Sequence, residues 1–336
     1  MTITSIGDMA QHMMNTRRTT SVKQDLNRLA YELGSGRKAD VAKALKGDFN
    51  MLAGVERQLT VLEGYDIAAK DASLFLETAQ STLDQIQTVT GDLGRDLLSA
   101  SESGLSASVV SVAKTARNDF EAIVSALNGR VADRSLFAGT ATDGAPLVDA
   151  NSMMTQISAA VAGSATISDI VTAVDDYFMS AGGGFETGAY TGSLNDLAPM
   201  RLNDNQSADF NVRADSTELR EAMRDSALAA LALDPGLNLD LTEQKQLMEI
   251  AGERLLTGQD NLTSVRADIG FNQERVENAM AENSLSRSSM LMTQSDLLSA
   301  DQTDVAGKLQ AVQVQLEMVY TITARLSQLT LANYVR

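Results

Sequence analysis

The 336-residue sequence has no cysteine, no tryptophan, one histidine and only three prolines. Without cysteine there can be no disulfide, thiolate nucleophile, zinc–thiolate site or iron–sulfur cluster. With His12 as the one imidazole, a histidine-rich metal site is excluded and a histidine-based catalytic triad is disfavoured. No run of about 18 apolar residues occurs, so no helix is predicted to insert into a membrane.

Positive charge and aromatic rings are also scarce. The chain has 27 Lys+Arg against 44 Asp+Glu, a net charge of −17, and only 4% aromatic residues. A nucleic-acid site needs clustered cations, and a base-stacking platform needs aromatic rings. Nucleic acid is therefore not an expected partner.

The composition does support a folded core, since 44% of the residues are hydrophobic. Charge divides the chain into three parts. Residues 1–46 hold eight basic and four acidic residues, and 305–336 hold three basic and one acidic. Residues 47–304 carry 16 basic and 39 acidic residues, so the two ends resemble each other more than either resembles the middle.

The prolines, Pro146, Pro199 and Pro235, and a glycine cluster at 182–192 all lie in a central window. The flanks are free of proline, as long helices require. We therefore predict a helical body with a separate domain inserted at 141–215. The body consists of a helical bundle, residues 41–140 and 216–302, and a terminal coiled coil, residues 1–40 and 303–336.

Heptad spacing dominates the flanks. A 3.5-residue period continues over about six heptads from Val55, which is typical of a coiled-coil-like seam: Val55, Leu62, Ala69, Leu76, Leu83, Thr90 and Leu97. A turn is predicted at Ser103-Gly104, followed by a second helix. The fold class predicted is mainly α, a long antiparallel helical bundle or coiled coil formed by both termini, with a small α+β domain inserted centrally.

The central window predicts helices near 157–161 and 167–178, with Thr166 or Ser168 as a cap. Two alternating runs, 200–202 and 210–213, predict short strands joined by turn residues. Helix is expected to return at Ser216, whose hydroxyl could cap it.

The terminal stripes are the candidate interaction site. Two lone helices of about 30 residues are marginal in water, so we expect burial against each other and against other subunits. The residues assigned to this assembly interface are Val22, Leu26, Leu29, Leu33, Val305, Leu309, Val312, Leu316, Val319 and Leu326.

No arrangement of residues predicts catalysis. Adjacent carboxylates such as Asp175 and Asp176 are expected by chance in an acidic chain, and no EF-hand spacing is present. The three glycines at 182–184 are not followed by Lys-Ser/Thr, which disfavours a phosphate-binding loop. We predict a non-enzymatic protein with no cofactor and no metal site.

Three segments carry a family resemblance. Leu33-Gly34-Ser35-Gly36-Arg37 resembles the Leu-Ser-Ser-Gly-Lys/Arg signature of the flagellin superfamily. Residues 128–140, with Asn-Gly-Arg and Leu-Phe-Ala-Gly-Thr, are similar to the stretch that ends the long N-terminal helices of its hook–filament junction members. The tail, ending in Asn-Tyr-Val-Arg, resembles the C-terminal helix of the same members. The motif residues are Ser35, Gly36, Arg37, Gly129, Arg130, Phe137, Gly139 and Thr140.

This resemblance implies a structural protein of the bacterial flagellum, with an inner terminal domain and an outer central domain. The implied role is an adapter at the hook–filament junction, and the implied partners are hook-associated protein 1, flagellin, further copies of the chain and a flagellar export chaperone. The N-terminus lacks the features of a secretory signal peptide, and the family is exported by the flagellar type III apparatus without a cleaved one. An extracellular location is therefore expected.

Two alternatives remain open at this point. One is a filament flagellin, which belongs to the same superfamily. The other is a soluble helical coiled-coil adapter or chaperone, which would fit the heptads but would not explain the Gly-Arg and Phe-Ala-Gly-Thr motifs.

Overall fold

A computed structural model describes residues 6–334, without the side chains of 6–8, 11, 12 and 326–334. These residues are mainly helical, with long helices in both terminal regions, which confirms the predicted fold class. The chain divides into two compact units. One unit contains the segment that ends at Leu62 and the segment that begins at Leu285, and the other unit contains Glu63–Ser284.

The unit that contains the chain ends is built on two long helices. Helix α1 (Ile6–Ser35) and helix α10 (Gln302–Tyr334) pack against each other. A single-turn helix α2 (Val41–Ala44) follows α1, with the Asp40 carboxylate accepting a hydrogen bond from the Lys43 N–H at 2.9 Å. The start of α3 (Asn50–Glu102) and the end of α9 (Gln259–Leu298) complete this unit.

The second unit contains the rest of α3 and α9 and all the elements between them. In chain order these are α4 (Ser106–Leu127), β1 (Arg130–Val131), β2 (Arg134–Ser135), α5 (Ala150–Val161), α6 (Ile167–Met179), β3 (Met200–Arg201), β4 (Ser207–Ala208), α7 (Thr217–Ala230) and α8 (Leu241–Thr257). A π-helical turn lies at Phe185–Ala189 and a 3₁₀ turn at Leu231–Leu233. The strands form two antiparallel pairs, Arg130 opposite Ser135 and Met200 opposite Ala208.

A single apolar core runs through the second unit. The apolar heptad positions predicted on α3 from Ala69 onward lie in it, with Ala69, Leu76, Leu83 and Leu97 completely buried. Val55 and Leu62 are also buried, but they belong to the unit that contains the chain ends. The polar position of this heptad, Thr90, is also buried, and its hydroxyl donates to the Ile86 carbonyl at 2.8 Å. Because the hydroxyl is satisfied within its own helix, a polar residue is tolerated in the seam.

Local signals place most element boundaries correctly. The Thr166 hydroxyl accepts from the Asp169 N–H at 3.2 Å while the Asp169 carboxylate accepts from the Thr166 N–H at 3.0 Å, so α6 begins with a capping box. The predicted turn at 103–104 is confirmed, since α3 ends at Glu102 and α4 begins at Ser106.

Two local predictions were wrong. Residues 210–213 form no strand, because the Phe210 side chain enters an aromatic cluster, 5.0 Å from the Phe75 ring centroid, and the backbone there has no ladder partner. Ser216 does precede α7, but its hydroxyl accepts from the Arg213 N–H at 3.0 Å and does not cap the helix.

Candidate assembly interface

The seam between α1 and α10 contains the side chains that the heptad spacing selected. Val22 and Leu29 on α1 and Val305 on α10 are buried. The other selected residues with described side chains are half-buried: Leu26, Leu33, Leu309, Val312, Leu316 and Val319. Leu326 lies on α10, but its side chain is outside the described residues. Spacings of four and three along both helices make this a narrow coiled-coil seam.

The same two helices also expose a wide apolar surface. On α10 Met318 is 54% exposed and Ile322 is 55% exposed, while on α1 Met14 is 64% exposed. We call this set the outer apolar face; its members are Met9, Met13, Met14 and Tyr31 on α1, with Val314, Met318, Tyr320 and Ile322 on α10. Within this set Val314, Met318 and Ile322 form one stripe along α10 by their i, i+4 spacing, and an exposed apolar stripe is typical of an interaction site. Sequence analysis selected the seam and missed most of this face, although the i, i+4 spacing of Val314, Met318 and Ile322 was a usable signal.

Polar contacts fix the helix pair at its edges. The Lys23 ammonium lies 5.8 Å from the centroid of the Tyr320 ring, an inter-helix cation–π contact. On α1 the buried Glu32 accepts hydrogen bonds from Arg28 at 3.4 Å and from the Ala39 N–H at 3.1 Å. A buried carboxylate with these two partners holds the chain segment that leaves α1.

The motif at 35–37 forms the end of α1. Gly36 has a φ of +67°, the left-handed conformation in which helices commonly end at glycine. Its carbonyl accepts from the Ala300 N–H, and the Lys38 N–H donates to the Leu298 carbonyl, both at 2.9 Å. Ser35 donates to the Tyr31 carbonyl at 2.7 Å, and Arg37 is exposed. The motif therefore joins the end of α1 to the α9–α10 connection.

The second motif begins at the end of α4. Gly129 has room for no side chain, because a Cβ there would lie 2.8 Å from the Ala126 carbonyl oxygen. Arg130 is exposed and its guanidinium donates to the Asp143 carbonyl at 2.9 Å. The two residues between β1 and β2, Ala132 and Asp133, have positive φ, as a tight hairpin turn requires.

The motif continues with buried residues that hold two distant loops. The Phe137 carbonyl accepts from the Ala214 N–H at 2.9 Å, and the Phe137 ring lies 6.0 Å from the Phe210 ring. Gly139 has a φ of +60°, and a Cβ there would lie 2.3 Å from the Asn195 carbonyl oxygen. The Thr140 N–H donates to that same oxygen at 3.1 Å. The motif is therefore a structural junction of the second unit.

A network of charged side chains around the buried Asp225 joins α6, α7 and α8. Asp225 is 2% exposed, accepts two hydrogen bonds from Arg224 at 2.8 and 2.9 Å, and lies 3.7 Å from Arg254. Arg254 also donates to Asp175 at 2.9 Å. Burial raises the pKa of the Asp225 carboxyl, while the two arginines lower it. Asp175, which the sequence placed in an adjacent acidic pair, thus has a structural partner, and no sequence signal identified Asp225.

No group of three or more metal-ligating side chains forms within residues 6–334 wherever side chains are described. In the same part of the chain, no helix combines the length and the apolar character needed to cross a bilayer.

These features define the class of the molecule: a mainly helical protein whose paired terminal helices carry exposed apolar side chains. Residues 7–142 match the model of the bacterial flagellin N-terminal helical region. Among solved structures, the fold is similar to that of a proposed flagellar hook-associated protein from Vibrio parahaemolyticus. That match has a TM-score of 0.52 and 15% identity, and covers 75% of this chain and 99% of the other. No curated protein sequence matches the chain.

Residues 7–142 thus resemble the N-terminal helical region of bacterial flagellins, and the resemblance of the chain to the flagellin superfamily is confirmed.

Proposed function

We propose that this chain is a structural subunit of the hook–filament junction, exported without a cleaved signal peptide and located outside the cell on the flagellum. In this role it contacts hook-associated protein 1 on one side, flagellin on the other and copies of itself around the ring, and a flagellar export chaperone binds it before export. The observation that carries the proposal is the outer apolar face of α1 and α10.

The apolar area that α10 leaves exposed to water supports the proposal. Val314, Met318 and Ile322 are each about half exposed on a helix whose other apolar edge already packs against α1. Because about half of each side chain is already covered, leaving the rest in water forgoes roughly 0.7–1.5 kcal/mol each relative to full burial. A second copy that covers the face recovers this energy, and the uncovered face therefore favours an assembled protein.

The motifs and the structural likeness support a junction subunit over a filament flagellin. The Asn-Gly-Arg and Leu-Phe-Ala-Gly-Thr segments resemble those of junction members, and the similar solved structure is described as hook-associated. The predicted division into terminal residues 1–40 and 303–336, a bundle at 41–140 and 216–302, and an insert at 141–215 remains part of this proposal.

The assembly step is tested by Met318→Asp. Because Met318 is exposed in the single chain, the variant should keep its helical circular dichroism and its melting temperature. In the assembly the new carboxylate would be buried without a partner, at a cost of several kcal/mol. Sedimentation of the purified chain under assembly conditions should show loss of the large species.

Gln313→Asp is the matched control, since Gln313 is an exposed polar residue on the same helix. It introduces the same charge on a different side of α10 from Val314, Met318 and Ile322, and the variant should assemble normally. Normal assembly of Met318→Asp would show that this face is not an interface.

The junction role is tested by location. Immunogold labelling of isolated flagella should mark only the point where filament meets hook. Labelling along the whole filament would identify the chain as a filament flagellin.

A further inference from the structure

Two complementary surfaces lie in the second unit, apart from the terminal helices. One is an apolar groove of about 310 Å³, lined by Leu74, Phe75, Arg134, Met200 and Arg201, which we call the arginine groove. The other is the ridge on α9 formed by Phe271 and Asp268, which we call the Phe271 ridge. Phe271 is 66% exposed, an unusual position for a phenylalanine.

The arginine groove has the chemistry of an aromatic-binding site. The Arg134 guanidinium lies 5.8 Å from the centroid of the Phe75 ring, and that of Arg201 lies 5.9 Å from the Tyr65 ring. Each arginine thus makes a cation–π contact with one aromatic ring, and both Arg134 and Arg201 remain exposed. A cavity of about 150 Å³ is enough for a benzene ring, so the groove has room for a phenylalanine side chain.

The charges at the two surfaces are complementary. Arg201 is paired with Asp204 at 3.3 Å, whereas Arg134 has no carboxylate partner within the described part of the chain. One carboxylate, Asp71, also lines the groove. On the ridge, Asp268 lies three residues before Phe271, on the same side of α9, and it has no cationic partner among the described side chains.

The two surfaces share no lining residue within one copy. Phe75 lines the arginine groove, and Phe210 lines the depression beside Phe271. The Phe75 and Phe210 rings meet edge to face at 5.0 Å between them, and both are buried. The ridge and the groove are therefore separate surfaces with this buried aromatic pair between their linings.

From this geometry we infer that the Phe271 ridge of one copy inserts into the arginine groove of the next, with Phe271 between the arginines and Asp268 paired with Arg134. The contact uses two different patches and so is heterologous, the kind that generates rings or helical arrays. The inference rests on the proposed self-assembly and adds a second contact between copies, away from the terminal helices.

Cross-linking tests the contact directly, because the chain contains no cysteine that could interfere. Copies carrying Phe271→Cys are mixed with copies carrying Met200→Cys under assembly conditions and treated with a short bis-maleimide. A dimer is expected on denaturing gels. Leu194→Cys, at a 74% exposed position outside both surfaces, replaces Phe271→Cys as the control and should give none.

A charge exchange tests the pairing. Phe271→Ala should weaken association about tenfold or more, as expected for an aromatic anchor, and Leu194→Ala should not. Asp268→Arg and Arg134→Asp should each weaken association, and the double variant should restore it. A loss caused only by local unfolding would not be restored by the second substitution.

The outcomes separate this inference from the proposed function. Assembly that depends on Met318 but gives no Phe271–Met200 cross-link overturns the inference and leaves the proposed function standing. A cross-link equal to that of the Leu194 control, or no rescue by the double variant, also overturns it. Absence of any self-assembly of the full chain overturns both.

Discussion

Replacement of Gly139 by alanine should destabilise the second unit more than any other glycine-to-alanine change in its loops. Gly139 combines a φ of +60° with a very close approach to backbone atoms: an added Cβ would lie 2.3 Å from the Asn195 carbonyl oxygen and 2.9 Å from that of Ser193. Both neighbours are backbone atoms held by hydrogen bonds to the same motif. The Ser193 N–H donates to the Ala138 carbonyl at 2.9 Å, so the loop cannot retreat without losing these bonds.

The magnitude follows from two terms. A non-glycine residue in the left-handed region costs roughly 1–2 kcal/mol. Forcing a methyl group into a filled space costs typically 1–3 kcal/mol more. The free energy of unfolding should therefore fall by about 2–5 kcal/mol, with no charge or hydrogen-bonding group introduced.

Two further glycines separate these terms. Gly163 has a φ of +90° with nothing near an added Cβ, so Gly163→Ala should cost only the conformational term, about 1–2 kcal/mol. Gly144 has neither a positive φ nor a close neighbour, so Gly144→Ala should be within about 0.5 kcal/mol of the parent chain.

Urea unfolding followed by circular dichroism at 222 nm measures the series. The expected order of stability is Gly144→Ala, then Gly163→Ala, then Gly139→Ala. Equal midpoints for Gly139→Ala and Gly163→Ala would refute the steric part of the reasoning, and a Gly139→Ala midpoint equal to that of Gly144→Ala would refute all of it.

Two other predictions follow from charge and from exposure. The pKa of the Asp119 carboxyl is raised by burial and by the nearby Asp96 and Asp92. An acid whose folded-state pKa is raised destabilises the fold once it ionises, so stability from this group is lost as the pH rises through that pKa. Asp119→Asn should therefore raise the free energy of unfolding by about 0.5 kcal/mol at pH 7, and this gain should disappear below about pH 3. Chemical denaturation at both pH values measures the gain. An equal gain at both pH values would contradict the electrostatic cause. We also expect α1 and α10 to become fully ordered only in the assembly, because a lone helix pair lacks the burial needed to offset its ordering entropy. In the dilute single chain, amides of these two helices should therefore exchange with deuterium much faster than those of the buried stretch of α3. Equal protection of the three helices would contradict folding upon assembly.

The long helices were predictable because their signal is repeated. Apolar heptad positions such as Leu76 and Leu83 recur over many turns. One polar residue at such a position, Thr90, does not disturb the period. The helix-end motif at Ser35-Gly36 and the Thr166 cap were predictable for a different reason. Each of them depends only on neighbours within a few residues in the chain.

The short elements and the second contact surface were not predictable in this way. Residues 210–213 alternate apolar and polar side chains as a strand does. Phe210, however, packs against Phe75 and Phe137, which are far away in the chain. A two-residue strand such as β3 has almost no local signal and exists through its pairing with β4. The arginine groove likewise draws its lining from three separate stretches of the chain.

The sequence by itself determined that this protein is helical, acidic in its middle and apolar along both ends, because composition and periodicity are properties of the chain alone. It also determined the family motifs. Only the tertiary structure decided that Gly139 must be glycine, that Asp225 is buried between two arginines, and which side of α10 stays uncovered. Each of these depends on which distant residues arrive at the same place, and spacing within one segment holds no information about that.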